Sequence, residues 1–114
     1  MTLGQKQQEF AICLAKFIVW IYKQGWQVRM KEVYRPPFTA REYARRGKGI
    51  VNSVHTKSCA ADLVLVKNGK VTWKNDDYLP LAKKWESYHL LARAGHYFRG
   101  RDSVHFSFEH NGVK

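Results

Sequence analysis

The feature that most constrains the fold is an almost continuous apolar segment, Ala60 to Val66, which contains one carboxylate, Asp62. An apolar run of this length without alternation is typical of a strand that is buried on both faces. An ionised carboxylate in such a strand is unfavourable unless a cation or strong hydrogen-bond donors compensate it. The segment therefore predicts a central strand and, at Asp62, a compensating partner such as a metal ion.

The patterns around this strand predict an α+β fold. Apolar residues at helical spacing predict the first helix, and Thr39 with Glu42 three residues later resembles a capping box. In chain order we expect a helix over about residues 4–24, a strand over 26–31, a helix over 40–46, the buried strand with an Asn68-Gly69 hairpin into 70–73, a helix over 77–94 and a strand over 104–108. Together they predict a small antiparallel sheet packed against helices in two layers.

Length and composition favour one domain covering residues 1–114, with a monomer as the default. The two cysteines, Cys13 and Cys59, are too few for a disulfide scaffold, and we expect free thiols. The longest apolar stretch, residues 10–22, is too short for a membrane span and is interrupted by Lys16. The first residues lack the pattern of a signal peptide, so we expect synthesis in the cytoplasm.

The formal net charge of +11 favours polyanionic partners, such as nucleic acid, anionic lipid or a phosphate-rich cell envelope. The segment 34–46 carries four arginines among aromatic residues, which resembles a nucleic-acid surface. No helix-turn-helix, zinc-finger or RNP-type motif supports that interpretation. A basic nucleic-acid-binding module without catalysis remains an alternative. In the favoured interpretation, no nucleic-acid partner is expected.

Two separate segments carry residues that bind metals. His55 precedes Asp62 by seven positions, and a distal segment reads Asp102-Ser103-Val104-His105. Two histidines and one aspartate would supply the ligands that Zn²⁺ prefers and would leave a fourth position for water, as catalytic zinc sites require. For the side chains of Asp102 and His105 to converge, Asp102 must lie in the turn before the last strand.

Two further residues are possible members of the site. Cys59 lies close in sequence to the metal segment and is a rival ligand, although a small residue that leads into a buried strand more often packs in the core. His96 lies in the loop that precedes Asp102 and could line a cleft. Neither residue is part of the expected ligand set.

These motifs resemble a family of zinc peptidases that includes D-Ala-D-Ala carboxypeptidases, D-Ala-D-Ala dipeptidases and phage L-alanyl-D-glutamate endolysins. The family pattern is Ser-x-His, six residues, Asp, and then a distal acidic residue before a second His. This sequence matches it with Ser53-Val54-His55, Asp62 and Asp102-Ser103-Val104-His105, and Tyr34-Arg35 matches an upstream Tyr-Arg. Where members often carry Glu two residues after the second His, this chain has Ser107, and where many have Trp-Gly-Gly it has Ala94-Gly95-His96.

The resemblance implies a fold like that of the hedgehog and D-Ala-D-Ala peptidase domains, with the zinc site on the sheet. It implies one zinc ion per chain held by His55, Asp62 and His105. Asp102 becomes the general base, Arg35 the group that polarises the substrate carbonyl, and Ser53 a substrate contact. The expected partner is bacterial peptidoglycan.

Within this family the small size resembles the phage endolysin branch, which implies a lysis enzyme that is made in the host cytoplasm and acts on the cell wall after release. The expected reaction is hydrolysis of a stem-peptide amide bond, L-Ala-D-Glu in the first place. A D-Ala-D-Ala carboxypeptidase is an alternative, because these activities share one metal set. A metal-bound module without turnover is another.

Overall fold

The computed structural model describes residues 1–114 and has the expected α+β architecture, with a small antiparallel sheet packed against helices. The helices are α1 (Leu3–Lys23), α2 (Pro37–Arg45) and α3 (Asn75–Glu86). The strands are β1 (Gln27–Glu32), β2 (Ala60–Lys67), β3 (Lys70–Val71), β4 (Ala92–Ala94) and β5 (His105–Phe108). None of the helices has both the length and the apolar character that crossing a membrane requires.

The apolar strand β2 is the centre of the sheet. It pairs with β1 along one edge, whereas β5 and β3 share its other edge, and β4 extends the sheet beyond β5. The hydroxyl of Tyr78 fills the space between β5 and β3. It accepts a hydrogen bond from the backbone N–H of Leu65 and donates one to the carbonyl of Thr72, both at 2.9 Å.

One face of the sheet packs against α1 and α3 through aromatic side chains. Phe17 of α1 lies 4.9 Å from Phe106 of β5 between ring centroids, and Phe10 lies 5.5 Å from Phe108. Trp85 of α3 is fully buried against all four rings. Because burying a large apolar side chain contributes about 1.5–3 kcal/mol, this cluster holds β5 firmly on the helices.

The helix over 77–94 was the least accurate prediction. The helix α3 ends at Glu86, and Ala92–Ala94 forms β4 instead. Ala92 lies opposite Phe108 and Ala94 opposite Phe106, so these small residues complete the sheet beside β5. Tertiary pairing therefore overrides a pattern that was also compatible with a helix.

The second helix begins earlier than the capping-box pattern predicted. It starts at Pro37, in the first turn, where the fixed φ of proline suits a helix and its missing N–H costs nothing. Thr39 consequently lies inside the helix and makes no cap. In β1 the alternation of apolar Trp26, Val28 and Met30 with polar residues is typical of a half-buried strand, yet Met30 is 57% exposed.

Candidate metal centre

Three buried side chains that were predicted from the sequence to bind metal come together on the sheet. His55, Asp62 and His105 each offer one ligand atom, and these atoms lie within 4.8 Å of one another. His55 comes from a one-turn 3-10 helix (Val54–Lys57), Asp62 from β2 and His105 from β5. Residues about fifty positions apart in the chain therefore meet at one point.

The register of β2 and β5 places two members of this group. Asp62 lies directly opposite His105 in the antiparallel pair, so both side chains point to the same face of the sheet. The Oδ1 atom of Asp62 lies 3.5 Å from Nδ1 of His105 and 3.2 Å from Nε2 of His55.

An N-cap formed by Ser53 positions His55, the third member of the cluster. The buried hydroxyl of Ser53 accepts a hydrogen bond from the backbone N–H of His55 at 3.3 Å, as in an N-cap. Ser58 then turns the chain in the left-handed region, with φ 54°, and leads it into β2. Ser53, predicted to contact substrate, therefore also has a local structural role in presenting His55.

The second nitrogen of His55 fixes the state of its ring. Nδ1 lies 3.1 Å from the carbonyl oxygen of Val33, which can only accept, so Nδ1 carries the hydrogen. In the neutral ring the lone pair of Nε2 then lies beside the Asp62 carboxylate. Two acceptors in contact require a cation between them, which is either a proton or a metal ion.

The charges of the cluster agree with this requirement. Burial alone would raise the pKa of Asp62, but its contacts with His105 and His55 hold that pKa well below the usual range. Burial would lower the pKa of His55, and the Asp62 carboxylate outweighs this and raises it. The cluster thus keeps an ionised carboxylate that attracts positive charge.

The residues present fit a metal ion. Asp62 Oδ1 and His105 Nε2 are buried and have no hydrogen-bond partner, and two imidazoles with one carboxylate form a donor set suited to Zn²⁺. A metal would satisfy the carboxylate oxygen that the protein leaves without a donor. His105 differs from His55 in that its second ring nitrogen, Nε2, has no carbonyl or carboxylate partner; the hydroxyl of Ser107 is also buried without a partner.

Asp102 lies in the turn before β5, as its spacing from His105 requires. Its backbone N–H donates to the carbonyl of Gly95 at 2.9 Å, and its own carbonyl accepts from the N–H of His105 at 3.0 Å. Asp102 is an exposed residue and lines the cavities beside the cluster. Partial desolvation of its carboxyl group, followed by the negative charge of Asp62, raises the pKa of Asp102.

Gly95 is a functional position that the sequence motifs did not single out. A Cβ at this position would lie 2.0 Å from the carbonyl oxygen of Asp102 and 2.9 Å from Cβ of His105. Only glycine allows so close an approach. The one signal available in the sequence is that Gly95 stands where the zinc peptidases that the motifs resemble often carry a Trp-Gly-Gly segment.

Arg35 lies beside the cluster but is already engaged. Its Nε donates to Glu32 Oε1 at 3.0 Å, and its guanidinium lies over the ring of Tyr43, 5.0 Å from the centroid. Its backbone N–H donates to the carbonyl of His55 at 3.1 Å. The side chain is thus held firmly at the edge of the site, with its charge partly compensated by Glu32.

Two adjoining cavities of about 510 Å³ each open at the cluster. One, the strand-side cavity, is lined by Lys31, Glu32 and Asp62; the other, the C-terminal cavity, is lined by His55, His105 and residues 112–114. Arg35, Lys48 and Asp102 line both cavities and mark the boundary between them. The cavities form one cleft that crosses the cluster of His55, Asp62 and His105.

The other residues considered from the sequence lie outside this group. Cys59 is a free thiol, fully buried in the apolar core. His96 is buried and lines neither cavity, and its Nδ1 has no hydrogen-bond partner. In the basic segment 34–46, Arg45 and Arg46 both form ion pairs with Glu42, which reduces the free positive charge there.

Comparison with known proteins supports the fold. The crystal structure of the Serratia marcescens L-Ala D-Glu endopeptidase ChiX is similar, with a TM-score of 0.63 and 24% sequence identity over 73% of this chain and 67% of that chain. No family model and no curated protein sequence matches the chain. At this level of identity the likeness establishes a shared architecture, and the chemistry has to be argued from the site.

Proposed function

We propose that this protein is a zinc-dependent peptidase that hydrolyses a stem-peptide amide bond of bacterial peptidoglycan, with L-Ala-D-Glu as the bond cut. The observation that carries the proposal is the buried cluster of His55, Asp62 and His105 at the floor of a cleft. The similarity in fold to an L-Ala D-Glu endopeptidase supports the substrate class.

In this proposal His55, Asp62 and His105 hold one Zn²⁺ per chain. When bound, zinc acts as a Lewis acid that lowers the pKa of a water molecule from 15.7 towards about 7. Asp102 faces the same cleft and accepts the proton of the attacking water, then delivers it to the departing amine.

Arg35 is proposed to stabilise the negative charge that develops on the carbonyl oxygen of the substrate. It lines both cavities, and its ion pair with Glu32 and its stacking on Tyr43 limit its movement. A donor that is held in place before the reaction needs little reorganisation during it. Ser53, which lines the C-terminal cavity, is proposed to contact substrate in addition to capping the turn at His55.

The wider setting belongs to the same proposal. We take residues 1–114 to act as one domain and as a monomer, in a lysis enzyme of the phage endolysin type. It would be made in the cytoplasm of the host and would reach the cell wall after release. The motifs shared with that branch of the zinc peptidases support this setting.

The test is release of new amino groups from purified peptidoglycan by zinc-loaded protein, with mass spectrometry of the products. Chelation and the substitution His55→Ala should both abolish release, because each removes the metal. The matched control is His89→Asn, which changes a histidine outside the site and retains an acceptor for the N–H of Leu91. Product masses distinguish cleavage at L-Ala-D-Glu from loss of a terminal D-Ala, the carboxypeptidase alternative.

The proposal fails if the protein binds one zinc ion per chain and releases nothing from walls of several chemical types. That result would favour a metal-bound module without turnover.

A further inference from the structure

A β-bulge places an extra cation in the cleft. In the pairing of β1 with β2, Met30 lies opposite Leu63 and Glu32 lies opposite Asp62, so Lys31 has no partner. In a regular strand Lys31 and Glu32 would point to opposite faces. Both line the strand-side cavity, together with Asp62 and Asp102. The bulge thus redirects the Lys31 side chain, a common use of bulges next to functional sites.

A second lysine reaches the same place from a different element. Lys48 follows α2, and its backbone N–H donates to the carbonyl of Tyr43 at 2.8 Å, which fixes the turn. The Lys48 side chain lines both cavities and so lies at the boundary between them. Two ammonium groups carried by separate elements therefore border one cavity beside the metal centre.

The charges in this cavity are unevenly compensated. Glu32 is paired with Arg35, and Asp62 lies between two histidines. Lys31 and Lys48 make no ion pair and no side-chain hydrogen bond within the protein. Asp102, the third carboxylate that lines this cavity, partly offsets the charge of Lys31, which in turn acts to lower the pKa of Asp102. Lys48 has no carboxylate partner, so an anionic group of the substrate is the complementary partner at this end of the cavity.

We infer that Lys31 and Lys48 form a subsite that binds a free carboxylate of the substrate, next to the bond that is cut. The inference rests on the proposed peptidase function and deepens it. A glutamyl residue within a peptide chain uses one carboxyl group to continue the chain and keeps a second one, which is either free or amidated. The subsite selects the free form, because an ammonium forms a stronger hydrogen bond with a carboxylate than with a neutral amide.

The test uses two synthetic peptides that differ only in this group, a carboxylate in one and a carboxamide in the other. The measured quantity is the ratio of kcat/KM for the carboxylate peptide to that for the carboxamide peptide. We expect this ratio to favour the carboxylate in the unmodified protein and to fall about tenfold in Lys48→Gln, with partial recovery in Lys48→Arg. Lys31→Gln should lower it in the same direction. Lys70→Gln, which removes an exposed lysine of the distant hairpin, is the matched control and should keep the ratio.

An unmodified protein that cuts both peptides equally well overturns the subsite and leaves the peptidase proposal intact. The same conclusion follows if Lys48→Gln lowers kcat/KM equally for both peptides. Failure to cut either peptide, with zinc bound, removes the proposed function and this inference with it.

Discussion

Asp62 and His105 face each other as directly opposed residues of two antiparallel strands, with Oδ1 of the first 3.5 Å from Nδ1 of the second. Their separation is therefore set by the backbone ladder of the sheet and not by a flexible loop. A shift of one residue in the register of β5 would turn His105 to the opposite face. The aromatic packing of Phe106 and Phe108 against the helices opposes such a shift. Core packing and site geometry are thus coupled within one four-residue strand.

Asp102→Asn should separate metal binding from turnover. The amide cannot accept a proton, so kcat should fall about 100- to 10,000-fold, the usual contribution of a general base. Zinc content should remain one per chain, because Asp102 is outside the ligand cluster. Amino-group release and metal analysis on the same preparation measure both effects.

Asp76→Asn is the control for this substitution, since Asp76 is an exposed carboxylate in the first turn of α3. It should retain activity. If Asp102→Asn loses zinc along with turnover, Asp102 belongs to the metal site and the general base has to be sought elsewhere.

Zinc affinity should depend on pH through His55. Asp62 raises the pKa of His55 above its ordinary value of about 6.5. Protons therefore compete with the metal for His55 at every pH below that raised pKa. Metal binding should strengthen as pH rises through the pKa of His55. The increase in Tm on adding zinc should accordingly be larger at about pH 8 than at about pH 5.5.

In the metal-free protein, the contribution of His55 to the stability of the fold should fall as pH rises, which is opposite to the trend of zinc affinity. A raised pKa at His55 stabilises the fold below about pH 6.5, and this contribution is lost as pH rises through that pKa. The lowered pKa of Asp62 stabilises the fold above about pH 3.9, and this is lost as pH falls. Replacing His55 with Ala should remove the pH dependence of the increase in Tm on adding zinc. A pH-dependent increase that persists in this variant would contradict a site at His55.

The sequence was sufficient to predict the central strand and the three converging ligands. Asp62 is identifiable because a lone carboxylate in an apolar strand requires compensation, and this requirement is local. His55 and His105 were identified by spacing and by the resemblance to zinc peptidases. The geometry of the structure brings all three together, whereas the bound metal itself remains a prediction.

Other parts of the site depend on contacts between distant residues and have no local signal. The role of Gly95 arises from the approach of Asp102, seven residues later, and the environment of Lys31 arises from an irregular pairing with β2. The strand β4 forms because β5 offers an edge to it, although the same residues are compatible with a helix. Such features follow from tertiary pairing, which periodicity along one segment does not report.

Gly95→Ala should damage the site through the backbone. The added methyl group would collide with the carbonyl of Asp102 at 2.0 Å and displace the turn that precedes His105. We expect a loss of at least about 1–3 kcal/mol in the free energy of unfolding, as for overpacked cores, and reduced zinc affinity. Chemical denaturation and zinc titration measure the two effects. Gly4→Ala, whose Cβ would meet its nearest atom at 3.9 Å, is the control, and a Gly95→Ala protein of normal stability and zinc affinity would contradict the argument.

Tyr78→Phe should lower stability without affecting the metal centre. The hydroxyl accepts from the buried N–H of Leu65 and donates to Thr72, and its loss leaves that N–H without a partner. The expected cost is about 1–3 kcal/mol in the free energy of unfolding. Leu65 lies three residues beyond Asp62 in β2, so zinc affinity should be unchanged wherever the protein is folded.

Tyr22→Phe, at an exposed tyrosine of α1, is the control for loss of a hydroxyl. Equal denaturation midpoints for the two variants would show that the Tyr78 hydroxyl does not hold the edge of β2 between β5 and β3.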